Sequence, residues 1–297
     1  MRIPVLAGPT ALGKTSLALG LSRHLDLEVI SADAMMVYRG MDIGTAKPTV
    51  QEQVWVKHHL IDVVNPDQAF NVADYVKQAE VAIKDVLERG KLPLVVGGTG
   101  FYIRALSEGL STVPEVDESV QAALWERLDQ EGLDTLVKEL ESFSSQDSKR
   151  AERNPRRVIR ALEIIQRTAK APSSFPKTIP AFEYDKAVLL PSMEALCPRI
   201  EARTQTMFRL GLLEEVITLF RQYPDLPTAK QAIGYKEVVE YLAGLKTLEQ
   251  TKAEITLATT QYAKRQRTWF RKEPEAKVYQ GLGNGFKQEL LTWLKVR

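Results

Sequence analysis

The stretch Ile3-Pro4-Val5-Leu6-Ala7-Gly8-Pro9-Thr10-Ala11-Leu12-Gly13-Lys14-Thr15 decides the fold. Ile3–Ala7 reads as a buried strand, and Gly8 to Thr15 match G-x-x-x-x-G-K-T, the phosphate-binding loop between a strand and a helix. The glycines let backbone N–H groups turn inward on phosphate oxygens, and the helix that starts near Lys14 adds its positive end. Lys14 supplies a mobile positive charge. The Thr15 hydroxyl is placed to ligate Mg²⁺. Gly8, Pro9, Thr10, Ala11, Leu12, Gly13, Lys14 and Thr15 are therefore the candidate phosphate site. A fortuitous glycine-rich turn would lack this strand-loop-helix frame.

Outward from the loop, apolar runs alternate with amphipathic helices. A helix is predicted over 14–25, a second strand over 28–31, and a helix over 72–89, capped by Asn71 and stopped by Gly90. Leu92–Val96 reads as a further strand, closed by Gly97-Gly98-Thr99-Gly100. Such alternation implies an α/β fold, a parallel sheet flanked by helices. From Val113 the pattern turns helical, and Asn154-Pro155 mark the start of a basic helix. Pro172, Pro176 and Pro180 break the chain before strand-like Val188-Leu189-Leu190. Residues 113–185 thus read as an inserted all-helical domain within a P-loop core made of 1–112 and 186–297. Long helices are predicted over 199–221 and 249–272, with no internal repeat.

At 297 residues, 44% hydrophobic and 26% charged, the composition is that of an ordinary globular protein. One cysteine, Cys197, excludes an internal disulfide or a cysteine-based metal cage and fits a reducing compartment. The opening residues carry no apolar segment long enough for a signal peptide or a membrane span, so a cytoplasmic protein is the expectation. Separately, a monomer is expected. The formal net charge of +2 hides an uneven distribution. Residues 149–170 carry +6 and residues 261–272 carry +5, leaving the remainder at about −9. Two basic clusters on an acidic background favour a polyanionic partner over merely solvated helix faces.

A P-loop ATPase also needs a strand-end acid for Mg²⁺. The strand at 94–96 ends in glycine. The acid sits instead at Asp33, after the second strand, where it can serve a metal at one remove or face a substrate beside the phosphates. A small-molecule kinase is the alternative these features leave open.

The ordered strings Gly8–Thr15, Ser31-Ala32-Asp33, Tyr38–Pro48, Gly97–Tyr102, Arg157–Glu163, Ala232–Glu237 and Ala263-Lys264-Arg265-Gln266 resemble the tRNA dimethylallyltransferases (tRNA isopentenyltransferases). The resemblance implies transfer of a dimethylallyl group from dimethylallyl diphosphate to N6 of adenosine 37 in tRNA, next to the anticodon. It implies that Asp33 is the general base, that Thr10 to Thr15 hold the diphosphate with Mg²⁺ on Thr15, and that Arg203 stands near the diphosphate. It further implies tRNA contact at Asp33, Ala34, Met35, Met36, Thr99 and Asp117. The same holds for Arg156, Arg157, Val158, Ile159 and Arg160, and for Gln231, Ala232, Ile233, Gly234, Tyr235 and Lys236. Thr99 also falls in the catalytic set. The family usually reads Asp-Ser-x-Gln where this chain has Asp33-Ala34-Met35-Met36, so Met36 offers packing in place of a polar contact. Without cysteines for the zinc finger appended in eukaryotic relatives, the chain resembles the bacterial type.

Beside the resemblance stand readings from spacing. Arg156/Arg160 and Arg157/Arg160 share a helix face opposite Val158, Leu162 and Ile165. Tyr262 and Trp269 are spaced for core packing. His24, His58 and His59 are too scattered for a metal site. Tyr38, Arg39 and Lys47 either line a channel or brace their loop. The arginine-rich insertion argues for tRNA over a free adenine nucleotide as acceptor.

Overall fold

The computed structural model describes residues 2–295, apart from 225, 227 and 282. Six strands, β1 (Ile3–Ala7), β2 (Leu27–Ala32), β3 (His58–His59), β4 (Leu92–Gly97), β5 (Tyr184–Leu189) and β6 (Ala276–Tyr279), form one sheet in the order β3-β2-β4-β1-β5-β6. Every neighbouring pair is parallel. Alternate residues of β1 divide between two cores. Ile3, Val5 and Ala7 pack with Tyr75, Ala79 and Ile83 of the helix Val72–Glu88. Leu6 packs with Leu17 and Leu21 of the helix Lys14–Ser22 and with Leu290 and Leu294 near the C-terminus. Each fully buried Val, Leu or Ile side chain here contributes about 1.5–3 kcal/mol.

The chain divides into two compact units, 1–107 with 181–297, and 108–180. The second unit is helical, with helices Glu118–Glu131, Leu133–Phe143, Ser145–Ala151 and Pro155–Thr168 around Leu124, Leu136, Leu140, Val158 and Leu162. It begins five residues earlier than the pattern suggests because its two ends pair. Ser111 bridges Lys177 antiparallel, and the Thr178 N–H donates to the Leu110 carbonyl at 2.8 Å. It ends earlier because Tyr184 and Asp185 already belong to β5.

Asn71 and Asn154 cap their helices as their sequence positions suggest. The single helix predicted over 199–221 is two, Met193–Arg209 and Leu212–Gln222. Gly211, at φ 100°, turns the chain between them in a conformation that only glycine adopts without cost. The first of the two starts before Pro198, because Ser192 caps it by accepting from the Ala195 N–H. Among the described residues, no helix is long and apolar enough to cross a membrane.

Candidate active site

The register of the sheet brings three loops side by side. Ala7 pairs with Gly97, and Gly97 pairs with Ala32. The P-loop leaves β1, Gly98-Thr99 leave β4 and Asp33 leaves β2. P-loop and acid are therefore two strand spacings apart, about 10 Å, with β4 between them. The floor of that gap is glycine for a steric reason. A Cβ on Gly97 would lie 2.1 Å from the Ala32 carbonyl oxygen, and one on Gly98 would lie 2.5 Å from Gln266 Nε2.

In the P-loop itself, Gly13 at φ 87° begins the helix. Ala11, at φ 60°, takes the left-handed conformation that costs an L-residue roughly 1 kcal/mol. A Cβ on Gly8 would meet the Leu189 carbonyl oxygen at 2.7 Å. The Leu12 side chain is buried, so its part in a phosphate cradle is its backbone. Lys14 donates from Nζ to the carbonyls of Gly8 and Pro9 at 2.9 and 2.8 Å. Burial pulls its pKa down to about 8, the Asp33 carboxylate opposing this and the Arg203 cation adding to it.

Two arginines one turn apart on the helix Met193–Arg209 reach the loop. Arg203 donates to Thr10 Oγ1 at 3.0 Å and to the Thr45 carbonyl at 3.3 Å. Its Nε is buried without a protein partner, and burial lowers its pKa against the pull of Asp33. Arg199 donates from Nε to the Ala11 carbonyl at 2.7 Å. On the acid side, Asp33 Oδ1 accepts from the Met35 N–H at 2.9 Å. Thr99 ties the two strand ends together. Its N–H donates to the Ala32 carbonyl, and its Oγ1 accepts from the Ala34 N–H at 3.0 Å.

Two cavities meet here. One, of about 490 Å³, is lined by Thr10–Thr15, Ser31, Met36, His58, Ile61 and Arg199. The other, of about 280 Å³, is lined by Ala34, Met35, Thr99, Met207, Gln231–Ile233, Tyr235 and Ile255. Thr10, Asp33, Thr45, Arg203 and Tyr262 belong to both walls. An anionic group on the P-loop and a flat group beside Thr99 would thus confront each other across Asp33 and Arg203.

Residues 36–273 match the family model described as IPP transferase. A tRNA dimethylallyltransferase of Thermus thermophilus is 54% identical over 277 residues, which cover 93% of this chain and 92% of that relative. One from Deinococcus radiodurans is 48% identical over 280 residues, with coverages of 93% and 92%. The chain belongs to the IPP transferase family. Among solved structures, the tRNA isopentenylpyrophosphate transferase of Bacillus halodurans superposes with a TM-score of 0.72 at 35% identity, covering 99% of this chain and 95% of that one. A eukaryotic dimethylallyltransferase acting on tRNA gives 0.79 at 27% identity, covering 100% and 80%.

The family strings sort into wall and brace. Lys47 is a brace, its Nζ bound to the Tyr38 carbonyl, Asp42 and Asp62, the last two at 2.6 Å. Tyr38 is buried, and Arg39 donates to Asn65. Glu215 accepts the N–H groups of Asp42, Ile43 and Gly44 and the Tyr235 hydroxyl, so the Tyr235 hydroxyl is spent holding the loop that carries Thr45. Gly234 starts the next helix, and Lys236 is exposed. In the helical unit the side chains of Val158 and Ile159 pack into the core, which leaves the backbone of this segment and its arginines to face outward. Arg156 and Arg157 are exposed. Arg160 and Arg167 pair with Glu163, which is fully buried. Asp117 caps its helix through Ser119 and Val120.

Sequence reasoning misassigned Tyr262, which lines both cavities and does more than pack on the core. Burial, then the charge of Asp33, pushes its hydroxyl up to about 12. It also passed over His58. That ring is on the cavity wall, with Nδ1 2.7 Å from the Val56 carbonyl, and burial pushes its pKa down. A carbonyl only accepts, so Nδ1 carries the proton. Nothing in the spacing of either residue marks it out.

Proposed function

We propose that the protein transfers a dimethylallyl group from dimethylallyl diphosphate to the exocyclic N6 of an adenosine in tRNA, adenosine 37 beside the anticodon. The observation that carries this reading is the glycine-floored gap of about 10 Å between a P-loop and a strand-end carboxylate. The allylic C–O bond breaks with its electron pair on the diphosphate, the C–N bond forms, and the amine loses one proton. The P-loop amides, Lys14 and Arg203 face the charge that gathers on the leaving group. Asp33, on the common wall, accepts the proton. Holding both substrates there removes about 7–11 kcal/mol of entropic barrier.

The site suits Mg²⁺. Thr15 and Ser31, both hydroxyl-bearing, line the same cavity as Asp33. Among the described residues no cluster of three or more His, Cys, Asp or Glu offers a protein cage. Thr15 would hold the ion, with substrate phosphates and water completing its shell. When bound, the ion neutralises charge on the departing diphosphate. Adenine must leave its stack to reach Asp33, which costs least in an RNA loop. Arg156 and Arg157 of the helical unit supply phosphate contacts for that RNA.

Incubation with Mg²⁺, dimethylallyl diphosphate and tRNA, followed by mass spectrometry of the nucleosides, tests the reading. The expected product is N6-isopentenyladenosine, and Asp33→Asn lowers its rate about 10²–10⁴-fold while tRNA affinity holds. Transfer of phosphate from labelled ATP to a small molecule, with no prenylated tRNA, would establish the kinase alternative.

A further inference from the structure

Gln266 is only 6% exposed and stands on the helix Leu248–Phe270, far in sequence from the loops it touches. Its Oε1 accepts from the Thr10 N–H at 2.8 Å, and its Nε2 donates to the Gly98 carbonyl at 2.8 Å. One partner only donates and the other only accepts, so the amide has a single satisfying orientation. Gly98 lacks a side chain where one would collide with this amide.

Each end of the bridge continues toward one reacting partner. Thr10, fixed through its amide, presents Oγ1 to Arg203. Gly98 leads into Thr99, which holds the backbone on both sides of Asp33 through the Ala32 carbonyl and the Ala34 N–H. One side chain therefore spans the leaving-group side and the proton-accepting side. The Gln266 side chain stands in the wall of the P-loop cavity, and both hydrogen bonds of the bridge go to backbone.

We propose that Gln266 is a positioning residue that sets the separation between the diphosphate clamp and Asp33. The role rests on the prenyl-transfer reading. In-line displacement requires the attacking nitrogen at about 3–3.5 Å from the carbon, opposite the diphosphate oxygen still bonded to it, and a misplacement of about 1 Å costs on the order of 10²-fold in rate. A packing residue would affect the amount of folded protein. A spacer affects the chemical step in protein that is folded.

The test uses Gln266→Met, which keeps the size and removes both hydrogen bonds, and Gln266→Glu, which keeps the acceptor for Thr10 and loses the donor to Gly98. Single-turnover prenylation is measured with both substrates saturating, alongside KM for tRNA and calorimetric titration with Mg²⁺ and inorganic diphosphate. The expected result for Gln266→Met is a rate about 10–100-fold lower, with KM for tRNA and diphosphate affinity within threefold of the parent. Gln266→Glu is equally slow at pH 7.5. Its rate relative to the parent at the same pH recovers as acid protonates the new carboxyl and restores a donor to Gly98. A Gln266→Met rate within threefold of the parent, a loss confined to KM, or a loss that tracks the unfolded fraction by circular dichroism would overturn the proposal. Failure of the parent itself to prenylate would instead refute the underlying activity.

Discussion

Gly97→Ala puts the geometry of the gap to a direct test. The new carbon would stand 2.1 Å from the Ala32 carbonyl oxygen, 2.5 Å from the Ala32 carbonyl carbon and 2.6 Å from its Cβ. Non-bonded heavy atoms of this kind rest at roughly 3.5 Å, so β2 and β4 must part by about 1 Å at this end. No rotamer change relieves the overlap, because the closest obstacles are backbone atoms in a ladder pinned at Ile30–Val95 and Ser31–Val96. The displacement falls on Ala32, the residue before Asp33, and strains both Thr99 hydrogen bonds. Overpacking of this size costs about 1–3 kcal/mol of stability, which thermal unfolding will register. A shift of about 1 Å in Asp33 lowers the single-turnover prenylation rate about 10²-fold. Diphosphate affinity, read by titration with Mg²⁺ and inorganic diphosphate, stays within a few-fold because the P-loop hangs from β1. A folded Gly97→Ala protein with a parental turnover rate would refute the claim that strand register sets the distance between acid and phosphates.

Glu28, nearly fully buried beneath Arg89, His59 and Lys91, has its carboxyl held well below the usual range, the Arg89 guanidinium contributing most. Its stabilisation is complete above the ordinary carboxylate value of 4.5 and is lost as pH falls toward the depressed one. Glu28→Gln therefore costs about 2 kcal/mol at pH 7, a low figure for a buried pair because Arg89 and Lys91 are 35% exposed, and it flattens the pH dependence of denaturant midpoints below pH 4.5. In the helical unit, Arg156→Glu with Arg157→Glu weakens tRNA binding and lowers the salt slope by about 2, whereas Arg160→Glu chiefly lowers thermal stability by leaving Glu163 beside a like charge. Equal salt slopes for the double variant and the parent, or an Arg160→Glu protein as stable as the parent, would contradict this division.

How much of this was legible in advance follows from how local each signal is. The P-loop could be read because its strand, turn glycines and helix are contiguous, and the Asn71 and Asn154 caps because capping is settled within four residues. The break at Gly211 was missed because residues 199–221 keep helical periodicity straight through it. β3 and β6 were missed because two and four residues are too short to show alternation.

The walls of the site are less legible, and for one physical reason. A helix face turned toward a cavity and a face turned toward the core have the same period, so Tyr262, Gln266 and Arg199 reveal their roles only once the sheet order is known. Gln266 meets Thr10 across 256 residues and Gly98 across 168. The basic run at 149–170 shows the converse. Counting charges gave +6, yet Arg160 and Arg167 serve the buried Glu163, and Arg157 lies 2.7 Å from Glu152. What divides the arginine substitutions between binding and stability is burial of the acid partner. Arg160 and Arg167 neutralise a fully buried carboxylate, whereas Arg156 and Arg157 are exposed and Glu152 is a solvated partner.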